Sequence, residues 1–283
     1  MIVGVPKETK SDEYRVGMLP VTAQLLAERG HEVLIETEAG LGSGYENADY
    51  EKAGATLVDA AEAIWQRAEM IVKVKEPLEG EWPLMRDGPT IFTYFHFAAS
   101  RQLTAACLGA GITAMAYETL ADGAVLLPLL TPMSEVAGRM GIQEGAKYLE
   151  RPMTGRGILL GGVPGVAPGE VLVLGAGVVG SNAARIAAGL GARVTVMDID
   201  LDRLRYLDEV MPANVQTVFS DPHAIEHYAT TADLIVGAVL IPGGRTPMLI
   251  KRDMLGRMKN GAVIVDVGVD QGGCVETTDR KST

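Results

Sequence analysis

The stretch VLVLGAGVVGSNAARIAAGLGARVTVMDID, residues 171–200, decides the fold that the sequence predicts. Its apolar start, VLVL, has the length and composition of a buried strand, and SNAARIAAGLGA has the composition of a helix. The run RVTVMDID (193–200) then predicts a second strand. A strand, a helix and a strand in direct succession are typical of a βαβ unit, in which the two strands are parallel.

Glycines occupy the turn between the first strand and the helix. Gly175, Gly177 and Gly180 have the G-x-G-x-x-G spacing of a dinucleotide-binding turn. Such glycines permit a tight turn, a close approach of backbone to a pyrophosphate, and close packing of helix and strand. The helix N-terminus then faces the anionic pyrophosphate. The alternative, a glycine-rich helix start that binds nothing, is disfavoured by the strand that precedes it.

Asp198 ends the second strand of this unit. It follows the first glycine by about 20 residues, the separation at which an acid binds the ribose 2′-hydroxyl of NAD. A carboxylate at this position repels the 2′-phosphate of NADP. The sequence therefore predicts NAD as the cofactor, and a surface acid is the alternative interpretation of Asp198.

Strands and helices alternate over the rest of the chain as well. Before the glycine motif, strands are predicted at 2–6, 32–37, 70–75, 90–96 and 113–118, and helices at 21–29, 47–54, 59–67 and 101–108; after it, strands are predicted at 215–220, 233–241 and 262–270, and helices at 201–209 and 252–258. This alternation predicts an α/β protein of two doubly wound Rossmann-like domains with a cleft between them. A substrate domain is expected over 1–128 and a dinucleotide-binding domain over 129–283.

A helix over about 134–150 is expected to link the two domains. Ser134 is well placed to be its N-cap. Val136, Met140 and Leu149 are expected on or near one apolar face of this helix.

The composition argues against several classes of protein. Of 283 residues, 25 are basic and 36 acidic, and the resulting net charge of −11 argues against nucleic acid as a partner. The N-terminus is not a signal peptide and no apolar run is long enough to span a bilayer, so a soluble cytoplasmic protein is expected. Cys107 and Cys274 are too few for a disulfide framework and are expected to be reduced. No metal site is predicted.

Four polar residues lie at or just beyond the ends of predicted strands in the first domain. They are Arg15, Lys75, His96 and Glu118. Ligands of parallel sheets bind beyond the C-terminal strand ends, so these side chains are expected to converge. An arginine can clamp a carboxylate, a lysine can polarise a carbonyl, and a histidine can exchange protons near neutral pH. A small anionic substrate is therefore expected.

Each of these residues also has a plainer interpretation. Arg15 lies in a charged loop, where a solvated side chain is usual. Lys73 precedes Lys75 by two positions, so both lysines either face one ligand or snorkel at a sheet edge. In the plainer interpretation, His96 is a core histidine and Glu118 is a helix cap or salt-bridge partner.

Several segments of the chain resemble the alanine dehydrogenase family. They are VGVPKETKSDEYRVGMLP (3–20), IVKVKEP (71–77), PLLTPMSEVAGRM (128–140), GGVPGVAPGE with the glycine motif that follows it (161–200), and VIVDVGVDQGGCVE (263–276). The resemblance implies a reversible oxidative deamination of L-alanine to pyruvate and ammonia with NAD. It also implies a homohexamer, with the helix after Met133 contributing to subunit contacts.

The same resemblance implies roles for individual residues. Arg15 and Lys75 bind the substrate carboxylate and carbonyl, His96 is the acid/base group, and Asp270 is a second candidate for proton transfer. The other implied residues are Tyr94, Glu118 and Met133 for the substrate pocket, and Ser134, Gly175, Gly177, Val178, Val179, Gly180, Asp198, Arg203, Ser220, Val239, Leu240, Val267 and Asp270 for the cofactor. Asp266, deeper in the last predicted strand, is expected to be hydrogen-bonded structurally or to lie near the dinucleotide.

The resemblance fades after Glu276, and family members continue beyond the position of Thr283. The dinucleotide-binding domain is therefore expected to be incomplete at its C-terminus. One alternative function is the soluble NAD-binding component of a proton-pumping transhydrogenase, whose pattern departs at Lys75 and His96. Another is a truncated, non-catalytic NAD-binding chain. Serine or glycine as a substrate is a milder alternative.

Overall fold

A computed structural model of the chain describes residues 1–123, 127–241, 244 and 246–278. The chain divides into two compact units, Met1–Leu127 and Pro128–Thr283. Each unit contains a parallel sheet with helices connecting its strands. The predicted class, an α/β protein with two Rossmann-like units, is confirmed.

The first unit is built from six described strands and four described α-helices. The strands are β1 (Ile2–Val5), β2 (Glu32–Glu36), β3 (Thr56–Val58), β4 (Met70–Lys75), β5 (Thr90–Tyr94) and β6 (Thr113–Ala116); the helices are α1 (Pro20–Glu28), α2 (Asn47–Lys52), α3 (Ala61–Arg67) and α4 (Arg101–Ala110). The sheet order is β3-β2-β1-β4-β5-β6, and its described pairings are parallel. The chain runs outward from β1 to β3 and then returns to place β4 on the other side of β1. The ends of β1 and β4 therefore form a topological switch point, where doubly wound sheets bind ligands.

The second unit repeats this plan with five described strands. The strands are β7 (Glu170–Leu174), β8 (Arg193–Asp198), β9 (Val215–Phe219), β10 (Leu234–Gly237) and β11 (Val263–Asp266); the helices are α5 (Thr131–Tyr148), α6 (Val178–Gly189), α7 (Leu201–Val210), α8 (Pro222–Thr231) and α9 (Arg252–Leu255). The parallel order is β11-β10-β7-β8-β9. Its switch point lies between β7 and β10, directly beyond which the glycine motif begins.

Both faces of the second sheet are covered by apolar side chains. Val171 and Val173 of β7 pack into one hydrophobic cluster, whereas Leu172 and Leu174 pack into another. Successive residues of a strand face opposite sides of the sheet. A strand that is covered on both sides must therefore be apolar throughout, which explains the uninterrupted run VLVL.

Helix α5 begins earlier than the sequence predicts. It starts at Thr131, and the backbone N–H of Ser134 donates to the carbonyl of Leu130. Ser134 therefore lies in the first turn, and its prediction as the N-cap is wrong. Pro132 accounts for the earlier start, because the fixed φ of proline suits the first turn of a helix.

The buried face of α5 is lined by glycine rather than by large apolar residues. Gly138 and Gly141 are buried, whereas Val136 and Met140 are about half exposed. A side chain at Gly138 would collide with the backbone carbonyl of Val179 in α6. The close contact between α5 and α6 thus requires glycine, and the predicted apolar face is wrong for Val136 and Met140.

The last strand is shorter than predicted. Strand β11 ends at Asp266, and the chain continues into a 3-10 turn at Val269–Gln271 that contains Asp270. The side chain of Asp270 lies outside the described part of the structure. Strand β3 and helix α8 were not predicted, although Asp221 and Pro222 give α8 a clear N-terminal signal.

Candidate functional site

The polar residues predicted at the strand ends of the first unit lie on neighbouring strands. Arg15 follows β1, Lys75 ends β4, and Tyr94 and His96 lie at the end of β5. Glu118 follows β6. The strands β1, β4, β5 and β6 are adjacent in that order, so these residues lie along one edge of the sheet. Lys75 ends one strand of the switch point, and Arg15 lies in the loop that follows the other.

Arg15 is held by a carboxylate that the sequence did not single out. Its Nε donates to Glu13 Oε1 at 2.7 Å, its Nη2 donates to Oε2 at 2.5 Å, and its backbone N–H donates to Oε1 at 3.0 Å. The side chain of Glu13 is 6% exposed and that of Arg15 is 45% exposed. Burial opposes the ionisation of Glu13, but the hydrogen bonds and charge of Arg15, with the charge of Lys75, hold its pKa below the usual value. This fork fixes the guanidinium and leaves it accessible to a solute.

Tyr94 lies opposite Lys75 and within electrostatic range of Arg15. The pairing of β4 with β5 sets Lys75 against Tyr94. Burial raises the pKa of Tyr94, the charge of Arg15 partly offsets this, and the charge of Glu118 adds to it. Tyr94 is therefore a neutral phenol near Arg15 and Glu118, two residues that the sequence also predicts for the site.

Lys73 does not occupy the position that the sequence suggests. It is fully buried and forms ion pairs with Glu8 and Glu81. The register shifts between Val72 and Lys75, so the regular alternation that put both lysines on one face does not hold here. The alternative of a lysine that snorkels at a sheet edge is wrong for Lys73.

His96 has an unusual backbone conformation that a buried carboxylate supports. Its φ of 51° and ψ of 44° lie in the left-handed region, which is sparsely populated by residues other than glycine and is enriched at functional sites. Its backbone N–H donates to Glu118 Oε1 at 2.6 Å, and Glu118 is buried. His96 is only half buried, which argues against a core histidine. Glu118 therefore supports the conformation of His96 by accepting a hydrogen bond from its backbone N–H.

The glycine motif of the second unit fits a dinucleotide at each of its three positions. Gly175 has a φ of 107°, and a Cβ there would lie 2.7 Å from the carbonyl oxygen of Ala238. A Cβ at Gly177, the N-cap of α6, would meet none of the described atoms within 4 Å, so this backbone is open to a ligand. A Cβ at Gly180 would collide with the carbonyl of Gly175. These are the turn, the open approach and the helix–strand contact that the motif predicts.

Asp198 and Arg203 both contact this turn. Asp198 ends β8, and its Oδ2 accepts from the backbone N–H of Ala176 at 2.6 Å. Arg203 Nη2 donates to the carbonyl of Ala176 at 3.0 Å. Ser220 follows β9, and its backbone N–H donates to the carbonyl of Asp198 at 2.9 Å. The structure therefore brings these three predicted residues together beside the glycine turn.

The remaining cofactor candidates lie beyond other strand ends of the second sheet or in α5 and α6. Val239 and Leu240 follow β10, and Val267 follows β11. Val178 and Val179 open α6, while Met133 and Ser134 lie in the first turn of α5.

Asp266 is a structural hub at the end of β11. Its carboxylate accepts hydrogen bonds from the backbone N–H groups of Gly268, Cys274 and Val275 and from the hydroxyl of Thr278. The prediction that Asp266 is hydrogen-bonded is confirmed. Burial, and then the charge of Asp266, raise the pKa of the Cys274 thiol to about 12.

By fold and site, the chain is an α/β protein of the dinucleotide-binding class, with a separate unit that gathers cations and a histidine at one edge of its sheet. The profile of the Alanine dehydrogenase/PNT N-terminal domain matches residues 4–137, and that of the C-terminal domain matches residues 141–283. The chain belongs to the alanine dehydrogenase/PNT family, and the resemblance read from its sequence is confirmed.

Individual relatives agree with this assignment. The alanine dehydrogenase of Bacillus subtilis (strain 168) is 52% identical over 283 residues, which are 100% of this chain and 74% of the relative. A solved structure of L-alanine dehydrogenase superimposes with a TM-score of 0.88 at 52% identity and covers 99% of this chain and 77% of that chain. The transhydrogenase from Sinorhizobium meliloti superimposes with a TM-score of 0.81 at 27% identity and covers 99% of this chain and 81% of that chain.

The described residues contain neither a candidate metal cluster nor a candidate membrane-spanning helix. Within them, no cluster of three or more His, Cys, Asp or Glu side chains is arranged to hold a metal ion. None of their helices combines the length and apolarity needed to cross a bilayer.

Proposed function

We propose that the protein is an NAD-dependent alanine dehydrogenase. The balanced reaction converts L-alanine, NAD⁺ and water to pyruvate, ammonium, NADH and a proton. The observation that carries the proposal is the position of Lys75 and His96 at the ends of adjacent strands, with Arg15 of the loop after β1 within electrostatic range of Tyr94, in a chain 52% identical to a named alanine dehydrogenase.

Arg15 and Lys75 bind the substrate in this proposal. The planar guanidinium of Arg15, oriented by Glu13, suits the carboxylate that alanine and pyruvate share. Lys75 supplies a compact positive charge for the carbonyl side of the substrate. Fixing the substrate at two points presents its Cα–H in one direction, and this positioning contributes much of the rate acceleration.

His96 moves protons in the proposed reaction, with Asp270 as the second candidate. Once hydride has left the Cα, water adds to the resulting iminium, and His96 or Asp270 accepts a proton from that water. The carbinolamine then collapses to pyruvate and ammonia. Glu118 holds the His96 backbone in its strained conformation and so sets the direction of the imidazole.

The second unit binds the cofactor. Gly175 and Gly180 permit the tight turn, Gly177 leaves room for the pyrophosphate at the start of α6, and Asp198 accepts from the adenosine ribose. Bound NAD supplies the acceptor for the hydride. The other proposed contacts are Ser134, Val178, Val179, Arg203, Ser220, Val239, Leu240, Val267 and Asp270, and Tyr94, Glu118 and Met133 complete the proposed substrate pocket.

A steady-state assay tests this proposal. The purified chain, without membranes, should form NADH in an alanine-dependent manner, and His96→Ala should lose most turnover while NAD binding, measured by calorimetry, is retained. Near-normal turnover of His96→Ala would overturn its role. A chain that binds NAD but oxidises neither alanine, serine nor glycine would instead be the non-catalytic alternative.

The transhydrogenase alternative is less well supported. The S. meliloti transhydrogenase is 27% identical to this chain over the aligned region, against 52% for the B. subtilis enzyme. We propose a homo-oligomer, a hexamer by resemblance, in which the half-exposed Val136 and Met140 of α5 lie in subunit contacts. A cytoplasmic location stays a prediction.

A further inference from the structure

Strand β4 is irregular directly before Lys75. Its register with β5 pairs Val72 with Phe92 and Lys75 with Tyr94, so β4 carries one residue more than β5 over this interval. A bulge of this kind interrupts the ladder and redirects the side chains that follow it. The direction of the Lys75 side chain therefore depends on how the bulge is held.

The carboxylate of Glu8 holds the bulge. Its Oε1 accepts from the backbone N–H of Val74 at 2.6 Å and from that of Lys75 at 3.2 Å. On the other side of the same residue, the hydroxyl of Thr93 donates to the Lys75 carbonyl at 2.9 Å. Both backbone polar groups of Lys75 are thus bonded to side chains of neighbouring segments.

A buried lysine compensates the charge of Glu8. Lys73 Nζ lies 3.2 Å from Glu8 Oε2 and 2.9 Å from Glu81 Oε1, and the three side chains are 0%, 3% and 9% exposed. Glu81 Oε2 also accepts from the backbone N–H of Leu78 at 2.8 Å. Burial raises the pKa of Glu8, although Lys73 and the two backbone bonds oppose this rise. A buried carboxylate needs such a partner, so Lys73 keeps Glu8 in place.

We infer that Glu8 is a positioning residue: its carboxylate fixes the backbone of Lys75 and thereby directs the Lys75 ammonium towards the substrate. The inference rests on the proposed function for the role of Lys75. Glu8 acts through the bulge, because its carboxylate bonds to the backbone of Val74 and Lys75 and to the Lys73 ammonium. Lys73 and Glu81 form ion pairs in the same buried cluster, but of these three residues only Glu8 bonds to the amide of Lys75.

Paired substitutions separate positioning from general stability. Glu81 is the matched control for Glu8. Both carboxylates are buried, both form an ion pair with the Lys73 ammonium, and each accepts at least one backbone N–H. Glu8→Ala and Glu81→Ala should lower the Tm by similar amounts. Glu8→Ala alone should raise the KM for alanine and lower kcat/KM roughly 10- to 100-fold, with the KM for NAD unchanged.

A conservative variant gives a second comparison. The amide oxygen of Glu8→Gln can still accept from Val74 and Lys75, whereas its NH₂ group faces Lys73, so this variant should recover part of the loss. If Glu8→Ala does not fold, Glu8→Gln and Glu81→Gln carry the comparison. Equal kinetic losses at the two positions would overturn the inference.

Crystal structures make the test independent of turnover. If the wild type does not oxidise alanine, the proposed function fails, and the position of Lys75 Nζ in the wild type and in Glu8→Ala, or in Glu8→Leu if the alanine variant does not fold, then decides the inference, because neither side chain can accept from the Lys75 amide. A displaced Lys75 in the variant supports positioning by Glu8. An unchanged Lys75 overturns it.

Discussion

Asp198 Oδ2 accepts a hydrogen bond of 2.6 Å from the backbone N–H of Ala176, inside the glycine turn. Arg203 bonds to the carbonyl of the same residue, so Ala176 is held from both sides. A carboxylate has about four acceptor positions. Asp198 can therefore hold the turn and still accept hydrogen bonds from a ribose, which couples the shape of the turn to the recognition of the cofactor.

Asp198→Ala should weaken NAD binding and relax the preference against NADP. A hydrogen bond to a charged acceptor contributes about 1.5–3 kcal/mol, so the KM for NAD should rise roughly 10- to 100-fold. The ratio of NADP to NAD activity should increase, because the repelling charge is gone and Arg203 remains. Steady-state kinetics with both cofactors checks this, with the exposed Asp202→Ala as a control. An unchanged ratio in Asp198→Ala would contradict the role of Asp198.

Two glycines of α6 should respond in opposite ways to alanine. A Cβ at Gly180 would collide with the backbone of Gly175, which a flexible side chain cannot relieve, so Gly180→Ala should unfold the unit or destabilise it by more than about 3 kcal/mol. Gly189 lies on the same helix, and a Cβ there meets none of the described atoms within 4 Å. Gly189→Ala should stabilise by about 0.5–1 kcal/mol. Urea unfolding measures both; equal effects would contradict the fit of the glycine motif.

The sequence predicts the elements whose signals are local. Strand β4 was predicted at its observed bounds, and the glycine turn was predicted from spacing between a strand and a helix. Apolar runs and glycine spacing involve only residues that are close in the sequence, so they can be recognised without knowledge of the fold. The buried face of α5 was missed for the converse reason, since Gly138 and Gly141 carry no apolar signal.

The supporting carboxylates of the candidate site could not be predicted in the same way. Glu8 bonds to residues 65 to 67 positions away, and in the sequence it looks like other surface acids. Glu118 was predicted from its place beyond a strand end, but its bond to the His96 backbone was not. Only the strand order brings them to the groups that they hold.

The fork between Glu13 and Arg15 should make stability depend on acid pH. The pKa of Glu13 in the folded chain lies below its ordinary value of 4.5, so its ionised form stabilises the fold above about pH 4.5. This contribution is lost as the pH falls through the lowered pKa. Glu13→Gln should therefore be less stable than the wild type by about 1 kcal/mol at pH 7. Urea unfolding at pH 7 and at acid pH should show this difference shrinking; a constant difference would contradict the shift.

The Asp266 network should determine the stability of the segment after β11. Asp266→Ala leaves the backbone N–H groups of Gly268, Cys274 and Val275 without their acceptor and should cost about 2–4 kcal/mol. Thr278→Val removes a single bond of the network and should cost about 1 kcal/mol. Urea unfolding compares the two variants.

The thiol of Cys274 reports on the same network without unfolding the protein. Its raised pKa, about 12, and its burial should keep it unreactive towards iodoacetamide at pH 8 in the wild type. In Asp266→Ala the nearby charge is gone and the segment is less tightly held, so labelling of Cys274 should become faster. Mass spectrometry of labelled peptides distinguishes Cys274 from the buried Cys107, whose labelling should not change. Equal labelling of Cys274 in both proteins would mean that Asp266 does not hold this segment, and its hydrogen bonds to the segment would then contribute little to the local stability.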